Sequence, residues 1–315
     1  MMTPAVSRRR FLEGVLGMLA ASQLSGFSAP PPPPADAFRF AFVTDLHLMQ
    51  GGALHSAQGI AMCLQAVENL NPRPDFILCG GDLVNDAREM TVVDAGAEYD
   101  LFLKTWHDNT GLPAYWTFGN HDLTATSLAD PPVNDPRYCK GLFKQRLGLS
   151  KLFYSFNHKG WHFVVLDDIA LMPDKSYEGL LFDDELAFLR ADLQAHGAKP
   201  TILVTHIPLF SALPFSIALA QATGFHVKTP KNLVCTNADT AINDLSGHNI
   251  RAVLCGHLHR YEENTIHGVP FYNSGAVCGN YWTGPMFGCP EGYGVVDVGA
   301  NGSVKFDYRT YGWKA

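Results

Sequence analysis

Positive charge is scarce in this 315-residue chain: 23 Lys and Arg stand against 30 Asp and Glu, a net charge of −7. Setting residues 1–37 aside removes three Arg and two acids and leaves −8. Such a composition offers no basic face for a nucleic-acid polymer, so none is expected as a partner. Any attraction for anions would have to come from bound metal charge. The seven cysteines never form a CxxC pair, which excludes zinc-ribbon and thioredoxin-type readings. Cys79 and Cys255 lie inside apolar runs and read as small buried hydrophobes. Cys278 and Cys289, close together in a Gly/Pro-rich segment, could be bridged in an oxidising compartment. No apolar run reaches the roughly 20 residues of a bilayer span. The stretch from Phe11 to about Leu24 is short and carries Glu13, so no stable membrane span is expected. With 47% hydrophobic and 17% charged residues, the chain is of globular rather than disordered type.

Residues 1–37 stand apart. Ser7-Arg8-Arg9-Arg10-Phe11-Leu12 resembles the bacterial twin-arginine export motif, and a weakly apolar stretch follows it. Pro30 to Pro34 favour an extended polyproline spacer, and Ala35-Asp36-Ala37 offers a small-x-small cleavage site. The twin-arginine export machinery is thus an expected partner, with a periplasmic or secreted location. That route carries folded, cofactor-loaded proteins, which suits a metalloenzyme.

Residues 38–315 show no internal repeat and no linker, and read as one domain. Strands are expected at about 38–44, 76–79, 114–118, 201–205, 252–255, 270–273, 293–298 and 304–308. Leu152–Asn157 and Trp161–Leu166 form an expected hairpin. Ser56 is the expected N-cap of a helix ending near Leu70. Further helices are expected near 97–108, 141–147, 183–196 and 238–246. Together these imply an α/β domain with a two-sheet core and outer helices.

Five apolar runs end in metal-ligand residue types: Asp45-Leu46-His47, Gly80-Gly81-Asp82, Gly119-Asn120-His121-Asp122, Thr205-His206 and Gly256-His257-Leu258-His259. Ligands in open α/β sheets sit at the carboxyl ends of strands, so five such endings suggest one polar site there. On a strand, residues two apart share a face, so Asp45 and His47 could ligate together, as could His257 and His259. A bridging carboxylate at Asp82, an amide oxygen at Asn120 and the imidazole of His206 complete seven donors. This mixed N/O set suits two metal ions, Fe, Mn or Zn, with open positions for water and substrate.

The set DxH, GGD, GNHD, TH and GHxH, in this order, resembles the calcineurin-like metallophosphoesterase superfamily over most of residues 38–315. The resemblance implies a four-layer α/β/β/α sandwich, with two mainly mixed sheets flanked by helices. It implies Asp45, His47 and His259 on one metal, Asn120, His206 and His257 on the other, and Asp82 between them. It also implies a non-ligand role for His121 as general acid or transition-state stabiliser, with Asp122 helping to orient it. Two such metals clamp a phosphoryl group and acidify a bound water for in-line attack. Purple acid phosphatases carry a Tyr three positions after the bridging Asp; Asn85 stands there, which argues against a tyrosinate-ligated iron. The DxH motif, Leu152–Asp168 and Asn273-Ser274-Gly275-Ala276 look closer to bacterial class III cyclic-nucleotide phosphodiesterases.

The expected activity is therefore exported dinuclear-metal hydrolysis of a small-molecule phosphate ester by a metal-bound hydroxide, most readily as a phosphodiesterase. The alternatives are a phosphomonoesterase and a non-catalytic binding scaffold on the same fold. Substrate contacts are expected from His55, just after the DxH loop, and from Asn85; Tyr281 and Trp282, in the aromatic, Gly-rich stretch 279–294, could stack on a substrate base or simply pack.

Overall fold

The computed structural model of the protein describes residues 36–220 and 230–315, so the expected leader, apart from its last two residues, lies outside it. The chain runs β1 (Phe38–Val43), α1 (Ser56–Glu68), β2 (Ile77–Cys79), α2 (Val92–Asn109), β3 (Ala114–Trp116), α3 (Gly141–Leu147), β4 (Tyr154–His158), β5 (Trp161–Val165), β6 (Ile169–Leu171) and β7 (Tyr177–Gly179). It continues through α4 (Asp183–His196), β8 (Thr201–Val204), α5 (Leu213–Ala220), α6 (Ala238–Asp244), β9 (Ile250–Cys255), β10 (Glu262–Ile266), β11 (Val269–Asn273), β12 (Gly292–Val298) and β13 (Val304–Thr310). One sheet has the order β13-β12-β1-β2-β3 and the other β10-β11-β9-β8-β5-β4. Both are mixed: β1, β2 and β3 run parallel, as do β5, β8, β9 and β11, while the remaining pairings are antiparallel.

Strand periodicity builds the layers. In β1, Phe40 and Phe42 point between the sheets, while Ala41 and Val43 pack with Ile60, Leu64 and Phe102 of α1 and α2. In β8 and β9, Ile202, Val204, Ala252 and Leu254 face inwards, while Leu203 and Val253 meet Leu189 of α4 and Ala241 of α6. Each sheet is thus buried on both faces, which is why its strands read as continuous apolar runs. The result is the expected four-layer α/β/β/α sandwich. Aromatic rings lock the two sheets together: Phe163 meets Phe40 and Phe76 edge-on at 5.6 and 5.5 Å. Such pairs add about 0.5–1.5 kcal/mol beyond the area they bury.

Several local expectations differ. Ser56 does not cap α1; its hydroxyl bonds the backbone N–H and carbonyl of Met49, and His55 occupies the cap position without a side-chain bond. Helix α2 starts at Val92 rather than near 97, because Thr91 caps it through the Asp94 N–H at 3.1 Å. The small β6–β7 hairpin, α5 and the edge strand β10 were not expected. β10 reads Glu-Glu-Asn-Thr-Ile, with too little apolar content to announce a strand. Among the described residues, no helix is long and apolar enough to cross a membrane.

Candidate metal centre

The parallel strands β1, β2 and β3 of one sheet and β8 and β9 of the other bring their carboxyl ends to one end of the sandwich. The donor residues lie just beyond those ends, so the expected sharing of a pleat does not apply. β1 stops at Val43 and β9 at Cys255. Asp45, His47, Asp82, His257 and His259 all have left-handed backbone, with φ of 55°, 42°, 54°, 72° and 51°. Non-glycine residues seldom adopt it. Here the first two loops hold each other: Asp45 N–H donates to the Gly81 carbonyl, and Leu46 and His47 N–H donate to the Asp82 carbonyl, at 2.9–3.1 Å. The His257 N–H completes the arrangement by donating to the Asp45 carboxylate at 3.0 Å.

The side-chain donors then converge. His47 Nε2 lies 3.2 Å from His259 Nε2 and 3.5 Å from Asp82 Oδ2. His206 Nε2 lies 3.3 Å from Asp82 Oδ2 and 3.2 Å from Asn120 Oδ1, and His259 Nε2 is 3.3 Å from Asp45 Oδ1. Two donors at about 2.1 Å from one metal sit roughly 3.0–3.4 Å apart for right-angled to tetrahedral geometry. These spacings match a shared ion better than a set of hydrogen bonds. Each imidazole has its other nitrogen on a backbone carbonyl: His47 on Asn85 at 3.4 Å, His206 on Gly80 at 2.7 Å, His257 on Asn232 at 2.6 Å and His259 on Gly279 at 2.5 Å. That outer bond fixes ring orientation and presents the inner nitrogen, as metal-site histidines require. Asp82, His206 and His257 form one cluster of potential ligand atoms; His47 belongs to two others, one with Asp82 and His121 and one with His259 and Cys278. The donor set fits metal ions.

Charge is partitioned within the cluster. Burial opposes the ionised form of Asp45, but His259 and then His206 outweigh it and hold the group down to about 2. Asp82 is likewise held well below the carboxylate range, burial being overcome by His206, His121 and His47. Burial disfavours the charge on His206, yet Asp82 and Asp45 raise it to about 10. His257 is lowered to about 4 by burial and by His206. A cluster that holds protons on imidazole takes up metal only by releasing them, so metal affinity falls as the medium becomes more acid.

The structure sorts the remaining candidates. His121 sits above the cluster: its N–H donates to Asp82 Oδ1 at 2.8 Å, Nδ1 meets the Asn85 carbonyl, and Nε2 lies 3.5 Å from the Tyr281 hydroxyl. Its neighbour at Nδ1 is Asp86, at 3.8 Å. Asp122, expected to orient His121, faces the other way. Its carboxylate accepts from the N–H groups of Asp82, Leu83 and Gly119 and from the Tyr99 hydroxyl. Burial and Asp82 push Asp122 up to about 7, against four donors that favour its charged form. Asn85 contributes its carbonyl to both His47 and His121, so the residue type at that position is not what makes the contact.

Tyr281 belongs to the site, its ring centred 4.7 Å from His47 and 5.1 Å from His259. Trp282 does not face substrate. It is 1% exposed, packs against Trp313, and donates from Nε1 to the His47 carbonyl at 3.0 Å. His55 is exposed at the start of α1, and the structure does not bring it into the cluster. Cys278 and Cys289 are not bridged; both are free thiols, Cys278 with Sγ 3.8 Å from His259 Nδ1.

Two glycines are fixed by close approach. A Cβ on Gly81 would lie 2.6 Å from His206 Nδ1, and one on Gly119 would lie 2.1 Å from Asp82 Oδ1. Sequence reasoning missed Asp86 and Asp168. Asp168 is buried, is raised to about 7 mainly by burial, and accepts from the His206 and Ile207 N–H groups at 3.1 and 3.3 Å. Its signal was an acid pair, Asp167-Asp168, directly after the apolar strand β5, a sixth strand ending like the other five.

A cleft of about 200 Å³ opens onto Asp82, His121 and His257, with Tyr177 and Tyr281 at its sides and apolar residues elsewhere. A model of the family described as calcineurin-like phosphoesterase matches residues 38–261. A probable cyclic nucleotide phosphodiesterase of Rhodococcus erythropolis is 24% identical over 248 residues, 75% of this chain and 69% of that protein. A 3′,5′-cyclic-nucleotide phosphodiesterase of a Nostoc species is 23% identical over 241 residues, 75% and 77% of the two chains. A dimetal phosphatase from Danio rerio shares the fold with TM-score 0.58 at 13% identity, covering 88% of this chain and 100% of that one. A purple acid phosphatase from yellow lupin seeds does so with TM-score 0.57 at 12% identity, covering 90% and 53%.

Proposed function

The chain belongs to the calcineurin-like phosphoesterase family, and on that premise we propose that this metal-dependent phosphoric ester hydrolase acts on small-molecule phosphodiesters. The observation that carries the reading is the convergence of His47, Asp82, Asn120, His206 and His259, with Asp45, at 3.2–3.5 Å, each imidazole anchored from behind on a carbonyl. Asp45, His47 and His259 would hold one metal and Asn120, His206 and His257 a second, with Asp82 between them; Fe, Mn or Zn suits the donors. When bound, such metals supply positive charge to the phosphoryl oxygens and acidify an attacking water.

The residues around the cluster do the rest. His121 keeps Nδ1–H on the Asn85 carbonyl, so the proton it can give or take is the one on Nε2, which faces the cleft beside Tyr281. That is the position of a general acid for the leaving oxygen. Two features favour diesters. Among the described residues, the cleft lining includes no lysine or arginine to balance the second charge of a monoester, and the curated relatives are named as phosphodiesterases. The motif at Ser7–Leu12 supports twin-arginine export to the periplasm as part of the same proposal.

The test compares bis(nitrophenyl) phosphate with nitrophenyl phosphate on one metal-loaded preparation. A diester preference of at least about tenfold in kcat/KM is expected, equivalent to about 1.4 kcal/mol. His121→Ala should lose about 10²–10⁴ in kcat with its metal content unchanged. A monoester preference, or full activity in His121→Ala, would sink the reading.

A further inference from the structure

The cleft over the metal cluster is chemically lopsided. One wall is the reaction centre, Asp82, His121 and His257. The rest is made by Leu213 and Ile217 of α5, Leu233, Leu258, Met286 and Phe287. Its two tyrosine hydroxyls are already engaged, Tyr281 with His121 Nε2 and Tyr177 with the Asn232 side chain. Among the described residues, no amide, guanidinium or ammonium side chain lines it. Selective reading of a polar alcohol requires groups that hydrogen-bond it, and these walls do not supply them. The cleft's volume, about 200 Å³, also falls below the roughly 300–1,000 Å³ of sites that enclose drug-sized ligands.

Phe287 gives a second, independent observation. Met286 and Cys289 exchange backbone hydrogen bonds at 3.0 and 2.8 Å, which makes Phe287-Gly288 a two-residue turn. Both residues have positive φ, 48° and 79°. Asn-Gly is the relaxed choice for such a turn, and a bulky residue there is an outlier. Phe287 is also 57% exposed, so core burial does not repay the strain. Strained residues cluster at ligand clamps and active sites, and this one lines the cleft.

We propose that this apolar wall is a specificity subsite for an alkyl group esterified to the phosphate. Resting on the phosphodiester reading above, it assigns the substrate class: diesters of aliphatic, lipid-like alcohols are preferred over diesters of polar alcohols such as nucleosides or glycerol. In the reaction, water adds to phosphorus and the bond from phosphorus to the leaving oxygen breaks. The departing alcohol takes a proton, and a phosphate monoester remains. Phe287 and Ile217 both line the cleft, and the alkyl chain would lie against them.

The experiment follows nitrophenol release from methyl, butyl and octyl nitrophenyl phosphates by the metal-loaded full chain, with a 3′,5′-cyclic nucleotide alongside. A fully buried methylene is worth up to about fourfold (about 0.8 kcal/mol), so kcat/KM should rise at least about tenfold from methyl to butyl. Phe287→Asn should abolish most of that rise, so that the variant turns over the methyl and butyl esters at similar kcat/KM. Because it relaxes the turn, its melting temperature should be equal to or above that of the parent, which separates lost recognition from lost folding. Ile217→Gln, at a second residue of the lining, should flatten the series as well. A flat series in the parent, a full slope in Phe287→Asn, or faster turnover of the cyclic nucleotide than of the butyl ester overturns the subsite while leaving the phosphodiester reading intact. No turnover of any diester overturns both.

Discussion

Asp122→Asn asks which neighbour the Asp122 carboxylate serves. Oδ2 accepts from the Asp82 and Gly119 N–H groups, both at 3.0 Å; Oδ1 accepts from the Leu83 N–H at 3.1 Å and the Tyr99 hydroxyl at 2.9 Å. An asparagine has one acceptor oxygen, so its NH₂ must face one of these pairs. Only the Tyr99 hydroxyl can turn round and accept, so the NH₂ goes to that side and orphans the buried Leu83 N–H. One orphaned N–H costs about 1–3 kcal/mol, and the other bonds lose their charge assistance. A total near 3 kcal/mol corresponds to a fall of roughly 6–12 °C in melting temperature. The loosened segment carries Asp82 and Leu83, so metal content should fall with it. Tyr99→Phe removes one bond, keeps all three N–H contacts, and should cost about 1 kcal/mol. Thermal melts, elemental analysis and the pH dependence of kcat decide the matter. If Asp122→Asn kept its melting temperature and metal yet lost kcat with an altered pH profile, the carboxylate would be acting on His121, and the assignment to the Asp82 loop would be wrong.

Other outcomes follow from the same coordinates. Gly119→Ala places a Cβ 2.1 Å from Asp82 Oδ1 and 2.3 Å from its backbone nitrogen; the nitrogen is backbone and the carboxylate oxygen is held by the His121 N–H, so the variant should lose bound metal by elemental analysis. Gly111→Ala, which meets nothing within 4 Å, should keep it. Glu185, buried at the start of α4 and holding the Asp167 N–H at 2.9 Å, is raised to about 8 by burial and by Asp167. A raised carboxyl contributes stability that is present below its unfolded value, about 4.3, and is lost as pH rises through about 8. Stability, and with it melting temperature, should therefore decline across that window, by at most about 5 kcal/mol from this group. Glu185→Gln should flatten the decline; an unchanged slope in that variant would refute the account.

The sequence exposed the donor residues because coordination demands particular side chains, and Asp45, His47, Asp82, Asn120, His206, His257 and His259 do converge. The sandwich was legible for a related reason: strands buried on both faces must be continuously apolar, and helices packed on one side must be periodic. What escaped was the work done by backbone. The carbonyls of Asn85, Gly80, Asn232 and Gly279 aim the four imidazoles, and any residue type can supply a carbonyl. Asp122 was placed wrongly because adjacency to His121 suggested contact, whereas consecutive side chains on the short 3₁₀ turn Asn120–Asp122 diverge. Ser56 failed similarly: it looked like a cap residue by type, and its hydroxyl is spent on the Met49 backbone.

The left-handed backbone of five donor residues explains why the centre is rigid before any ligand is considered. Strain of this kind costs about 1–3 kcal/mol per residue, less for Asp and His, which are enriched in that region. All five donors are Asp or His, so together they cost on the order of a few kcal/mol, still a sizeable part of a domain's whole stability of about 5–15 kcal/mol. The loops keep this conformation because the carbonyls of Gly81 and Asp82 are bonded across from the Asp45–His47 segment, Asp122 and Asp168 hold the Asp82 and His206 loops, and Trp282 clamps the His47 carbonyl. Each restraint comes from a different element of the fold. The strain is therefore met by the packing of both sheets, and donor positions are set by the protein rather than by the ions they would hold.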